Sequence, residues 1–150
     1  MELKIKFVPN SKGETVNKPF YATNGSAGMD LSACLDEPVC LKKGEIKLIS
    51  TGIAISLPSN KYVAYVYARS GLACKKGICL ANSVGVIDSD YRGEIKCGLI
   101  NLGSEDFVIN HGDRIAQLII APVEIAEINV CETLDDTDRG SGGFGSTGVQ

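Results

Sequence analysis

The sequence predicts an all-β sandwich or barrel with one short helix. Apolar and polar residues alternate in many short segments, and turn-forming residues separate those segments at close intervals. No stretch keeps a 3.6-residue apolar period over several turns. At 150 residues the chain is long enough for one domain with a real core.

In chain order, Leu3, Ile5 and Phe7 share one face against Lys4 and Lys6, a half-buried strand. Pro9 to Gly13 is a turn, and residues 14–29 are irregular, ending in Asn24-Gly25-Ser26-Ala27-Gly28. Short strands follow over Met29 to Ala33, Val39 to Leu41, Ile46 to Ile49 and Ile53 to Leu57. Lys61 to Ala68 is apolar on both faces, which predicts cover on both sides. Ser70 to Gly77 is the one helix, with Ser70 as N-cap and Gly77 as its stop. Val84 to Ile87 and a second strand from Glu94 read as a hairpin around a polar tip. Strands over Ile95 to Asn101, Phe107 to Ile109, Ile115 to Ala121 and Ile125 to Val130 complete the set. Residues 1–133 form the domain. Residues 134–150 turn acidic and then glycine-rich, a flexible tail that cannot bury enough surface to order itself.

Composition excludes several functions. A net charge of −3 argues against broad nucleic-acid binding, which wants a basic face. No run approaches the roughly 18 apolar residues of a membrane span, and the N-terminus lacks the apolar segment of a signal peptide. The six cysteines form no CxxC pair and there is one histidine, so zinc is poorly supported. Reduced thiols in a cytoplasmic protein follow. The edge strands of a β protein this size must be managed, and pairing them between subunits is one solution.

The chemistry gathers around Asn82 to Glu94. Asp88, Asp90, Tyr91 and Arg92 crowd one tip, although a solvated hairpin end accounts for Asp and Gly there equally well. All four arginines (69, 92, 114 and 139) sit beside glycine, serine or aspartate in turn-like contexts. Their planar forks match phosphate oxygens, though any one alone reads as an ordinary surface residue. Arg69-Ser70-Gly71 precedes the helix and offers a phosphate cradle, the alternative being a plain serine cap. The tail from Arg139 to Gly148 lacks the lysine and following helix of a Walker A loop. It suits a lid, with Phe144 stacking on a planar ligand, against the alternative of a disordered linker end. Asp30 and Asp88 each end or interrupt an apolar run. With a phosphate substrate, one could orient water and the other hold a hydrated Mg²⁺. His111 reads as structural.

Five segments match one family in order: Ala27 to Leu31, Ala68 to Ala73, Gly85 to Gly93, Gly112 to Leu118, and Arg139 to Gly148. The chain resembles the all-β homotrimeric deoxyuridine triphosphatases (dUTPases). The resemblance implies a jelly-roll-like distorted β-barrel whose trimer forms three active sites, each drawing on all three subunits. It implies hydrolysis of dUTP to dUMP and pyrophosphate with Mg²⁺, keeping uracil out of DNA and supplying dUMP for thymidylate synthesis. It implies that Asp88 positions the water attacking the α-phosphorus and that Asp30 contacts Mg²⁺ through water. Arg69, Ser70, Gly71 and Gln117 would bind phosphates, and Asn82 with main chain after Gly93 would read uracil. Tyr91 would lie against deoxyribose and leave no room for a 2′-hydroxyl. Phe144 would cover the base, with Gly145 beside it in the tail, while Arg139, Ser146 and Thr147 grip the phosphate end. Neither nucleic acid nor membrane is implied as a partner.

The residue chemistry agrees. A dissociative phosphoryl transition state needs positioning and charge stabilisation rather than a covalent nucleophile, so no Ser/His or Cys/His pair is required. The alternatives are a dCTP deaminase, which shares this fold, and a nucleotide-binding module that has lost hydrolysis.

Overall fold

A computed structural model describes residues 1–143. Its elements are β1 (Lys4–Phe7), β2 (Met29–Ser32), β3 (Val39–Leu41), β4 (Ile46–Ser50), β5 (Ile53–Ser56), β6 (Tyr62–Ala68), α1 (Ser70–Lys76), β7 (Ile78–Leu80), β8 (Val84–Ile87), β9 (Lys96–Asn101), β10 (Phe107–Ile109) and β11 (Arg114–Pro122). They form four antiparallel sheets, ordered β2-β11-β6-β8, β4-β9-β7, β1-β5 and β10-β3. The fold is a distorted jelly roll whose sheets do not close into a true barrel. Their inward faces supply one core, including Leu31, Leu41, Ile49, Ile53, Ile95, Leu99, Ile109 and Leu118. Buried Asn101 is satisfied: its amide donates to the Leu41 and Glu105 carbonyls and its oxygen accepts from Gly103 N–H. Among the described residues no helix is long and apolar enough to cross a membrane.

β6 is central and its two faces differ. Ala64 and Val66 are buried, whereas Tyr65 and Tyr67 are half-buried on the other face beside buried Val63. The expected cover on that second face is therefore partial within one copy.

Four local expectations need correction. The Val84–Glu94 hairpin does not pair across its tip. β8 pairs with β6, and β9 pairs with β4 and β7, so the tip passes from one sheet to another. β8 gains the longer, more buried β6, and β9 gains a partner on each side, and that outweighs the local turn signal. Ser70 is the first helical residue, and the cap position falls on Arg69, with no side-chain cap bond. Arg69 is drawn instead towards Asp30. Gly77 does stop the helix, at φ +71°, where a Cβ would lie 2.3 Å from Gly103 N. Ile125 to Val130 is no strand here: Ile125, Ile128 and Val130 are 70%, 88% and 91% exposed, and no strand among the described residues neighbours their backbone. Finally, β7 went unforeseen because three residues directly after a helix give too short a period to read.

Candidate active site

The first cluster is built by register. β11 pairs with β2 on one side and β6 on the other, which sets Gln117 opposite both Asp30 and Tyr67. Directly opposed residues point to the same face, so Asp30 and Gln117 share one. Arg114 lies three residues before Gln117, and a regular strand would turn it to the opposite face. The register shifts between Arg114 and Ala116, pairing Arg114 with Ser32. This bulge brings Arg114 onto the face of Asp30 and Gln117.

The contacts follow from that placement. Arg69 Nε donates to Asp30 Oδ1 at 2.8 Å, and Arg114 Nη1 donates to Asp30 Oδ2 at 2.9 Å. Arg69 Nη1 also donates to the Arg114 carbonyl at 3.1 Å, and Gln117 Nε2 to the Ala68 carbonyl at 2.9 Å. The Asp30 side chain is only 15% exposed, against 27% for Arg69 and 50% for Arg114. Two guanidinium groups on one carboxylate leave net positive charge on a cleft of about 350 Å³, which Ser26, Gly28, Ser70 and Gly71 also line. Oriented forks with unused N–H donors beside exposed Ser70 suit an anion such as phosphate.

A second cleft, of about 570 Å³, is lined by Leu48, Val86, Ile87, Asp88, Tyr91, Glu94, Ile95 and Lys96. Asp88 is exposed at the end of β8. Tyr91 N–H donates to the Asp88 carbonyl at 3.2 Å, and the Tyr91 hydroxyl donates to the Glu94 carbonyl at 3.0 Å. A Cβ on Gly93 would stand 2.4 Å from that hydroxyl, so the bare glycine lets the ring fold over the chain. Arg92 Nη1 donates to the Ser89 and Tyr91 carbonyls and closes the turn. Leu48, Val86, Ile87 and Ile95 supply its apolar lining, and Asp88, Glu94 and Lys96 its charges.

The two clefts share no lining residue. Ile87 pairs with Ala64 on β6, Asp88 follows Ile87, and Arg69 lies five residues beyond Ala64 in extended backbone. Asp88 and Arg69 thus stand about 20 Å apart along the strand at ~3.3 Å per residue, too far to act on one phosphate chain within one copy. The structure brings together Asp30, Arg69, Ser70, Gly71 and Gln117, and separately Asp88 and Tyr91. Asn82 is exposed between β7 and β8 and lines neither cleft. Arg139 is exposed, its Nε donating to the Gly142 carbonyl at 2.8 Å. Phe144, Gly145, Ser146 and Thr147 lie outside the described residues.

Sequence reasoning missed Lys96 and Glu94, which line the Asp88 cleft with Lys96 Nζ 3.6 Å from Glu94 Oε2. Their spacing of two along an extended chain was the available signal.

Comparison with known proteins bears on this geometry. A sequence model of one family, described as dUTPase, matches residues 14–148. The chain is 54% identical over 147 residues to the deoxyuridine 5'-triphosphate nucleotidohydrolase of Desulfitobacterium hafniense, covering 98% of this chain and 97% of that one. It is 57% identical over 148 residues to the protein of the same name from Rickettsia felis, covering 99% and 97%. Among solved structures, a mutant dUTPase of Staphylococcus bacteriophage 80alpha with dUpNHpp superposes with a TM-score of 0.86 at 26% identity, covering 99% of each chain. The dUTPase of S. aureus phage phi11, described as coordinating a structural Mg(II) ion, shares the fold at a TM-score of 0.78 and 23% identity, covering 91% of this chain and 100% of that one.

Proposed function

The chain belongs to the dUTPase family, and from that membership we propose how its residues hydrolyse dUTP. The protein is a dUTP diphosphatase, converting dUTP and water to dUMP and pyrophosphate. The observation that carries the mechanism is the division of labour between the two clefts. One holds paired arginines that both engage the Asp30 carboxylate, and the other holds the exposed carboxylate of Asp88 beside Val86, Ile87 and Ile95. A triphosphate needs the first and a water nucleophile needs the second.

A complete site is therefore formed between copies, in a homotrimer. Arg69, Ser70, Gly71 and Gln117 of one copy bind the phosphate chain. Asp88 of another takes a proton from the attacking water while the α-phosphorus exchanges its bond to the β-phosphate bridge for one to that water. The Tyr91 ring meets deoxyribose, and Asn82 with the main chain after Gly93 reads uracil. The tail serves as the lid: Phe144 covers the base, with Gly145 beside it, and Arg139, Ser146 and Thr147 hold the phosphates. Residues 1–133 are the folded domain and 134–150 the lid. All six cysteines are free thiols, which suits a cytoplasmic location.

The chain's residues fit Mg²⁺ held through water. Both Asp30 oxygens accept from guanidinium groups, so direct ligation is disfavoured, yet each keeps a lone pair for a metal-bound water. Mg²⁺ commonly keeps its waters and rests on substrate phosphates. When bound it neutralises charge developing on the phosphates.

The test is pyrophosphate release from dUTP, dTTP, dCTP and UTP side by side. Release from dUTP with little from the others is expected. Ammonia release from dCTP instead would favour the deaminase reading.

A further inference from the structure

We propose that Glu94 is a positioning residue for Tyr91. It acts through two opposed bonds and so sets how sharply the site rejects a 2′-hydroxyl. The inference rests on the placement of Tyr91 against the sugar. The Glu94 side chain is 17% exposed and turns away from solvent. Its Oε1 accepts from Gly52 N–H at 2.9 Å, and its Oε2 lies 3.4 Å from Ser50 Oγ and 3.6 Å from Lys96 Nζ. On its other side, the Glu94 carbonyl accepts from the Tyr91 hydroxyl. One residue thus ties the ring to the corner between β4 and β5.

That corner is rigid. Gly52 has φ +68°, and a Cβ there would stand 2.7 Å from both Cβ and Sγ of buried Cys34, so neither a side chain nor a large shift is admitted. Thr51 donates from N and Oγ1 to the Ile95 carbonyl, and Ile95 N–H donates to the Ile53 carbonyl. These bonds fix Ile95, one residue beyond Glu94. The Glu94 carbonyl shares one planar peptide with the Ile95 N–H, so the main chain holds one end of this peptide and the Glu94 carboxylate, through Gly52 N–H, ties the Glu94 end. The opposite end of the ring's support is bare Gly93, which offers no side chain to restrain it. Without the carboxylate, this peptide keeps only its Ile95 tie, and the carbonyl with the ring bonded to it can tip about that point.

The experiment compares kcat/KM for dUTP and UTP in wild type, Glu94→Ala, Glu94→Gln and Tyr91→Phe, and in the Glu94→Ala/Tyr91→Phe double variant. Glutamine keeps an acceptor for Gly52 N–H and should retain the wild-type preference for dUTP within about twofold. Alanine leaves that N–H unpaired and should lower the preference about tenfold, in line with one unmade bond. Tyr91→Phe should lower it similarly, and the double variant no further, because both break one chain of contacts. A merely structural Glu94 would lower both substrates' rates in parallel and leave their ratio unchanged, which would overturn the proposal, as would additive losses in the double variant. If Glu94→Ala does not fold, Glu94→Asp shortens the reach by one methylene and must lower the ratio in the same way. A wild type inactive on dUTP would refute the functional reading itself, a result distinct from any of these.

Discussion

Replacing Asp30 by asparagine tests the arginine cradle. The carboxylate accepts one guanidinium bond on each oxygen, at 2.8 and 2.9 Å. Asparagine keeps one acceptor and turns an NH₂ towards the other guanidinium, so one charge-assisted bond is lost and two cations face each other uncompensated. A hydrogen bond to a charged group contributes about 1.5–3 kcal/mol. Arg114 is half exposed, so solvent screens part of the repulsion and the lower half of that range applies. The variant should lose about 2 kcal/mol, and in a domain of this size that is roughly a 4–8 °C fall in Tm. Thermal melts in EDTA read this without any contribution from metal. In the same variant KM for dUTP should rise about tenfold or more, because the forks no longer hold their spacing. A Tm within 1 °C of wild type together with an unchanged KM would refute the cradle.

Asp88→Asn should keep dUTP binding near wild type by calorimetry while turnover falls by about a thousandfold or more, the upper range for loss of a general base. Wild-type turnover would remove the water-activating role. Deleting residues 139–150 should abolish turnover and leave circular dichroism and the oligomer unchanged, and activity in the truncated protein would remove the lid. Burial pushes the Cys97 thiol up to about 12 and raises Cys34 as well. At pH 8 only about one Cys97 in ten thousand is thiolate, so alkylation of the native protein should spare Cys97 and Cys34 and modify exposed Cys40, Cys74 and Cys131. Rapid labelling of Cys97 would contradict the packing around it.

Much of the fold was legible because its strands alternate, as in Leu3, Ile5 and Phe7, or run apolar on both faces, as in β6. What escaped reading depends on long-range pairing. The Asp88 tip looks like a local hairpin, yet β8 and β9 each find a better partner in a different sheet. Arg114 could be picked out as a candidate cation, but its sharing a face with Gln117 depends on a bulge that no residue type announces. Asp30 and Arg69 were legible one by one from their residue contexts and Gln117 only from the order of the family segments, while the meeting of all three is a matter of register. Lys96 and Glu94 went unnoticed because charges near a turn are ordinary. The Ile125 to Val130 segment has a strand's composition without a strand's partner, and composition cannot supply one.

The central claim is that Asp88 and Arg69 of one working site come from different copies. Subunit complementation tests it most directly: Asp88→Asn and Arg69→Ala proteins are each assayed alone, then unfolded together at equal concentration, refolded and assayed again. Random reassembly restores both groups in about a quarter of sites, so the mixture should recover about a quarter of wild-type dUTP hydrolysis. Activity no greater than the mean of the two parents, with mixed oligomers confirmed by native mass spectrometry, would place both residues of a site on one chain and contradict the account.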